Sequence, residues 1–288
     1  MDFLHVMDLT PERWNRYKLL IVPYPVMMSQ ADVKKLIAYV EAGGTLLTEA
    51  RCGWVDERGF SSEIIPGGGL HEVLGCRESY LMPLPKTSSL KIRGAHAELP
   101  LLKDGDKLDT LFFEEGLELL GAKARVLAEF DSGQPAIVYA QQGKGRAMIV
   151  GSFIGSAYHH FRNPNNGKFL AGLADWLKVV RPVEVRVAES DVLVEARLLE
   201  GDGGMILFGF NRGERKAAAG FGVAVPDGNF RAIDLETKET IPSQFKEGRL
   251  RLTKSLDPGE AWVVLLKYGD MNRISEFGIV SPYFLKRG

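Results

Sequence analysis

Along the first 180 residues the apolar positions fall into two kinds of stretch in alternation: short continuous runs of strand length, and runs spaced three and four apart as on one face of a helix. Thr10-Pro11-Glu12 opens a helix, with Pro11 at a first-turn position where its missing donor costs nothing. Lys18 to Val22 reads as a buried strand. Ser29 and Asp32 form a capping pair ahead of Val33, Leu36, Ile37 and Val40, which share a helical face until Gly43-Gly44 ends it. A second strand, Thr45 to Thr48, follows at once. A loop from Glu49 to Gly67 comes next, and long loops at strand ends often carry sites. Leu70, Val73 and Leu74 predict a short helix stopped by Gly75, and from about residue 79 to 130 short strand-like runs dominate. Pro135 to Ala140 and Arg146 to Gly151 flank Gln141-Gln142-Gly143-Lys144-Gly145, a hairpin by length and glycine content. Asn165 or Asn166 is placed to cap the next helix, whose Phe169, Leu170, Leu173, Trp176 and Leu177 form one stripe. The alternation predicts an α/β unit over residues 1–181, with a mostly parallel sheet and helices on both faces.

The pattern changes at Arg181-Pro182. Beyond it, Val183–Val187, Val192–Leu198, Met205–Phe210, Phe230–Asp234, Arg249–Leu252 and Ala261–Leu266 are strand-length runs separated by Gly, Asp, Pro and Asn. Residues 182–269 are therefore expected to form a small all-β antiparallel sandwich. Asp270 to Gly288 shows no period and no place in either core, and reads as a tail of expression or out-of-frame origin.

Composition narrows the classes of function. With 36 Lys and Arg against 37 Asp and Glu, the net charge of −1 provides no field to collect nucleic acid or anionic lipid. No apolar run reaches the length of a membrane span, and no basic region followed by an apolar stretch marks the start. Two cysteines, Cys52 and Cys76, need no disulfide framework in a chain of 288 residues, so a reducing, cytoplasmic setting is expected.

Tyr17-Lys18-Leu19-Leu20-Ile21-Val22-Pro23, then Ala38 to Leu47 (AYVEAGGTLL), then Pro66 to Gly75 (PGGGLHEVLG), in that order, resemble the trimerisation domain of family 42 β-galactosidases. The resemblance spans roughly residues 1 to 180, with the β-rich segment where those enzymes carry a small C-terminal sandwich. It implies an amidotransferase-like, flavodoxin-like fold and a role in joining subunits, as a homo-oligomer and in particular a trimer, without chemistry. The family's two catalytic carboxylates, about 5–5.5 Å apart in a retaining glycosidase, belong to a catalytic barrel. No eightfold alternation occurs here, so no glycosidase residue is carried over, and Glu49, Asp56, Glu57 and Glu63 read as solvated loop acids.

The amidotransferase likeness also implies a second, catalytic reading. Cys52 follows the Thr45–Thr48 strand and precedes Gly53, similar to that family's nucleophile turn, although Arg51-Cys52-Gly53-Trp54 lacks the preceding glycine. His159 or His160 would serve as base and Glu49 would orient the imidazole, giving an esterase or amidase. Arg51 could stabilise a thiolate or pair with an acid, and Trp54 could wall an acyl or sugar ligand. Against this stands the plain alternative that Cys52 is a small apolar filler and that the histidines cover a loop or a subunit contact. Cys76, at a helix end, is expected to be structural, and Cys52, Cys76 and His71 lack metal-ligand spacing. The glycine-rich segments lack phosphate-binding signatures and no cofactor is implied. Trp176 and Trp262 read as core residues, and sugar binding by the sandwich has only aromatic residues to suggest it.

Overall fold

The computed structural model describes residues 3–83, 88–188, 192–201, 204–225 and 230–268. It divides into a first unit that ends at Val179 and a second that begins at Val180. The proposed tail, 270–288, lies outside the described residues.

The first unit runs α1 (Pro11–Trp14), β1 (Leu19–Val22), α2 (Gln30–Glu41), β2 (Thr45–Glu49), α3 (Leu70–Leu74), β3 (Cys76–Pro83), β4 (Ser89–Ile92), β5 (Lys107–Asp109), β6 (Phe113–Leu119), β7 (Ala124–Phe130), β8 (Pro135–Gln142), β9 (Gly145–Val150), α4 (Ile154–Phe161) and α5 (Pro164–Trp176). Seven strands form one sheet in the order β1-β2-β9-β8-β7-β4-β5, and β3 pairs with β6 in a separate ribbon. Alternate residues of the central strands feed two cores. Leu46, Val138, Ala140, Ala147 and Ile149 pack with Val33, Leu36 and Val40 of α2 and Leu70 and Leu74 of α3. Leu47, Ile137, Tyr139, Met148 and Val150 pack with Ile154 of α4 and Phe169 and Leu173 of α5. Helices therefore cover both faces, and β2 is buried from end to end.

The expectation of a mostly parallel sheet is corrected. Only β1–β2 and β2–β9 are parallel, whereas β9–β8, β8–β7, β7–β4 and β4–β5 are antiparallel. Parallel neighbours need a long crossover, as α2 supplies between β1 and β2, and tight turns permit only antiparallel pairing. Gln142 faces Gly145 across a two-residue turn, and Phe130 N–H reaches Gln134 O across a three-residue one.

Local chemistry explains the helix ends. Ser29 Oγ accepts from Asp32 N–H at 3.1 Å and donates to Asp32 Oδ2 at 2.8 Å, a cap of the expected kind. Helix α5 is capped by Asn163, whose side chain accepts from Asn165 N–H at 3.0 Å, instead of by Asn165 or Asn166, because Pro164 takes the first helical position. Asn166 is buried instead, bonding Asp109 N–H and the carbonyls of Asp109 and Ile154. Thr10 makes no side-chain cap to α1, which is a single turn. Gly145 lets β9 run under α2, since a Cβ there would lie 1.8 Å from Val40 O.

The second unit contains β10 (Val183–Val187), β11 (Val194–Gly201), β12 (Gly204–Asn211), β13 (Ala217–Ala224), β14 (Phe230–Asp234), β15 (Thr240–Ile241), β16 (Gln244–Lys246), β17 (Arg249–Leu256) and β18 (Ala261–Tyr268). They form two antiparallel sheets, β10-β13-β17-β16 and β11-β12-β18-β14-β15, which share one core of Met205, Leu207, Phe221, Val223, Leu252 and Trp262, among others. Trp262 carries its indole N–H into that core and donates to Asp234 Oδ2 at 2.8 Å, as a buried indole requires.

Candidate functional site at the strand ends

The carboxyl ends of β1, β2 and β9 lie side by side, Val22 opposite Thr48 and Glu49 opposite Val150. In open α/β sheets this edge is where ligands bind. Here two loops close over it. Residues 23–29 and 50–69 are zipped together by Gly53 N–H to Pro25 O at 2.7 Å, Val55 N–H to Val26 O at 2.9 Å and Met28 N–H to Val55 O at 3.0 Å.

Glu49, the last residue of β2, is buried. Its carboxylate accepts from Tyr24 N–H at 3.3 Å, from Gly155 N–H at 3.0 Å and from Ile154 N–H. It thus fills the anion-attracting N-terminus of α4 with a side chain of the same chain. Burial raises its pKa against these three bonds. Arg51 follows with φ 62°. Its N–H donates to Glu115 Oε2 at 2.6 Å, its Nη1 to Glu78 Oε2 at 2.5 Å, and its guanidinium lies 3.9 Å from the centre of the Trp54 ring.

Cys52 is 1% exposed. Burial pushes its thiol up to about 12, with the nearby Glu115 charge adding to the effect against a hydrogen bond from Thr48. Cys76 is buried too, and burial raises its thiol with Glu115 and Cys52 as further causes. Both thiols are free. A reactive cysteine needs an exposed, electropositive setting, and neither has one.

The expected triad is therefore not assembled. Glu49 spends its carboxylate on backbone donors. His159 and His160 stand exposed on the last turn of α4, and His160 packs its ring edge-on to Phe161 at 4.5 Å. No hydrogen bond among the described residues joins Cys52, Glu49 and either histidine. The turn has two left-handed residues, Gly53 and Arg51, and Arg51 is held for structure by two acids and Trp54. Trp54 accordingly stacks on Arg51. Two open clefts of about 270 and 310 Å³ lie elsewhere, lined respectively by Lys18, Tyr39 and Arg146 and by Glu63, Arg77 and Glu78 among other residues, and neither is lined by Cys52, Glu49 or the histidines.

Sequence reasoning missed two features of this edge. One is the acidic pair Glu114-Glu115, both buried. Glu114 accepts from Tyr80 and Ser132, while Glu115 lies against Arg51, Glu78 and the two thiols. Its signal was an adjacent acid pair beside Leu111-Phe112-Phe113, an apolar stretch. The other is a ring cluster: buried Phe153 takes Tyr24 at 4.7 Å and Phe112 and Phe113 at 5.8 Å each.

The sequence pattern of the family described as beta-galactosidase trimerisation domain matches residues 5–179. The chain belongs to that family. The β-galactosidase LacZ of Heyndrickxia coagulans is 28% identical over 159 residues, which is 53% of this chain and 21% of that protein. The β-galactosidase BgaB of a Geobacillus species is 28% identical over 190 residues, 62% of this chain and 25% of that one. The chain thus spans about a quarter of the length of these relatives. Among solved structures, the β-galactosidase from Bacillus circulans sp. alkalophilus superposes with a TM-score of 0.66 at 19% identity, covering 88% of this chain and 33% of that one. An α-L-fucosidase from Paenibacillus thiaminolyticus has a similar fold, with a TM-score of 0.58 at 14% identity over 91% of this chain and 42% of that one. Among the described residues of this trimerisation-domain chain, no group of three or more His, Cys, Asp or Glu is placed to hold a metal ion. No helix among them is long and apolar enough to cross a membrane.

Proposed function

We propose that the chain works as an assembly module: the first unit joins copies of the protein into a homo-oligomer, a trimer, and performs no chemistry at its strand ends. The observation that carries this reading is the match of the trimerisation-domain family over residues 5–179. The strand-end geometry supports it, because Glu49 accepts from the backbone N–H groups of Tyr24 and Gly155, and Glu115 from that of Arg51, where a ligand would otherwise sit. An amidotransferase-like, flavodoxin-like ancestry belongs to the same proposal. The turn after β2 keeps a left-handed residue, Arg51, where such folds place a nucleophile, and the neighbouring cysteine faces the core.

Purified protein assayed with short p-nitrophenyl esters, with and without Cys52→Ala, tests the absence of chemistry, and light scattering on the same samples gives the mass. Background hydrolysis from a trimer is the expected result. Turnover that disappears with Cys52→Ala would overturn the reading in favour of a thiol hydrolase.

A further inference from the structure

At the same edge the fold holds aromatic rings outward in backbone geometry that resists them. Tyr24 and Phe112 are 60% and 53% exposed, and Met27 and Phe60, on the zipped loops, are 63% and 66% exposed. Tyr24 has φ 50° and Phe112 φ 69°, the left-handed region that bulky residues avoid. Phe112 is the centre of a three-residue turn closed by Phe113 N–H to Leu111 O at 2.9 Å, a strained type. Fully buried Ser152 locks that turn from below, accepting from Leu111 N–H at 3.2 Å and donating to Leu111 O at 3.1 Å. Glu49 holds the Tyr24 N–H in the same way. Both rings rest on buried Phe153. Strain of this kind persists only where the surroundings over-determine it, and it clusters at functional positions. Glu49 and Ser152 are thus positioning residues for two exposed rings.

We propose that this aromatic edge, centred on Tyr24 and Phe112, is the surface on which a second copy of the chain seats. The inference rests on the assembly reading, since a domain that joins copies needs within residues 5–179 a surface that receives one. Large aromatic side chains fixed at a rigid edge suit the centre of such a contact, where few residues carry most of the affinity. In a cyclic trimer the contact is head-to-tail, so each of the three contacts uses this edge once and one variant weakens all of them.

The test compares the full chain with Tyr24→Gly/Phe112→Gly, which keeps the positive φ accessible, and with Met82→Ser/Leu101→Ser, a pair exposed elsewhere on the unit. Association is read by sedimentation equilibrium up to about 100 μM, which populates complexes of micromolar Kd. The expected result is association weakened about 100-fold or more in the aromatic variant, with the control pair like wild type. Equal association of wild type and the aromatic variant would overturn this surface while leaving the assembly reading intact. A wild-type chain that stays monomeric would overturn both. A second measurement needs no variant: hydrogen exchange of peptides 23–28 and 110–113 in wild type is expected to slow as concentration rises. Protection confined to other peptides would overturn the surface as well.

Discussion

Glu115→Gln isolates the most unusual group in the first unit. Glu115 is fully buried on β6. Its Oε2 accepts the Arg51 N–H, and the groups that face it are Arg51 from the loop after β2, Glu78 from β3, and Cys52 and Cys76. Burial, opposed by the Arg51 N–H bond and aided by the Glu78 charge, pushes its carboxyl from an ordinary 4.5 up to about 8. Between those two values the folded protein holds a proton that the unfolded chain has released. Stability is therefore lost as pH rises from about 4.5 and levels off above about 8. The displacement corresponds to a ceiling of about 5 kcal/mol at about 1.36 kcal/mol per tenfold change in proton affinity. Sharing of the proton with Glu78 reduces this, and about 2–4 kcal/mol is the expected loss between pH 5 and pH 9. Glutamine keeps an acceptor for Arg51 N–H and cannot ionise. Urea unfolding of both proteins from pH 5 to pH 9, with hydrogen exchange of β6 and β8 peptides to read the first unit by itself, is the assay. The variant is expected to overtake wild type as the solution becomes alkaline. Parallel stability curves for the two proteins would refute the reasoning.

Further expectations follow from burial and close approach. With its thiol near 12, Cys52 is ionised to about one part in ten thousand at pH 8, so native protein should react with a chromogenic disulfide at least about 1,000-fold more slowly than urea-unfolded protein; equal rates would show an accessible thiolate. Gly145→Ala drives a Cβ toward Val40 O and should destabilise the first unit by about 3 kcal/mol, visible as a drop of its melting transition, and an unchanged transition would contradict the close packing of α2 on β9. Trp262→Phe removes the buried bond to Asp234 and should cost the second unit about 1–3 kcal/mol in urea, whereas a loss confined to the first unit would show that the bond does not support the sandwich.

How far the fold could be read in advance depended on whether each signal was local. The helix α2 carries its own cap, stripe and stop, so Ser29, Val33, Leu36, Val40 and Gly43 sufficed. Helix α4 begins at Ile154 after Phe153, which makes no side-chain cap, and its N-terminus is satisfied by Glu49 from a distant strand, which no local pattern reveals. Strand β13 was missed because its sequence, Ala217 to Ala224, is mostly alanine and glycine, residues of low strand propensity. Its place is set by partners on both sides, β10 and β17. The candidate site was legible as a location and misread as chemistry. Cys52 does sit at the turn after β2, but whether a thiol there faces solvent or core is decided by Glu115 and Cys76, and by loop 50–69 folding back so that Gly67 N–H meets Cys52 O at 3.0 Å. The left-handed conformation of Arg51 was equally hidden, because arginine gives no sign of it and two acids from other strands hold it.

The central claim is that this chain assembles through its first unit. Sedimentation equilibrium of the wild-type protein over a range of concentrations tests it most directly. A species of about three times the 31.8 kDa chain mass is the expected result; a single species of 31.8 kDa at every concentration would contradict the account.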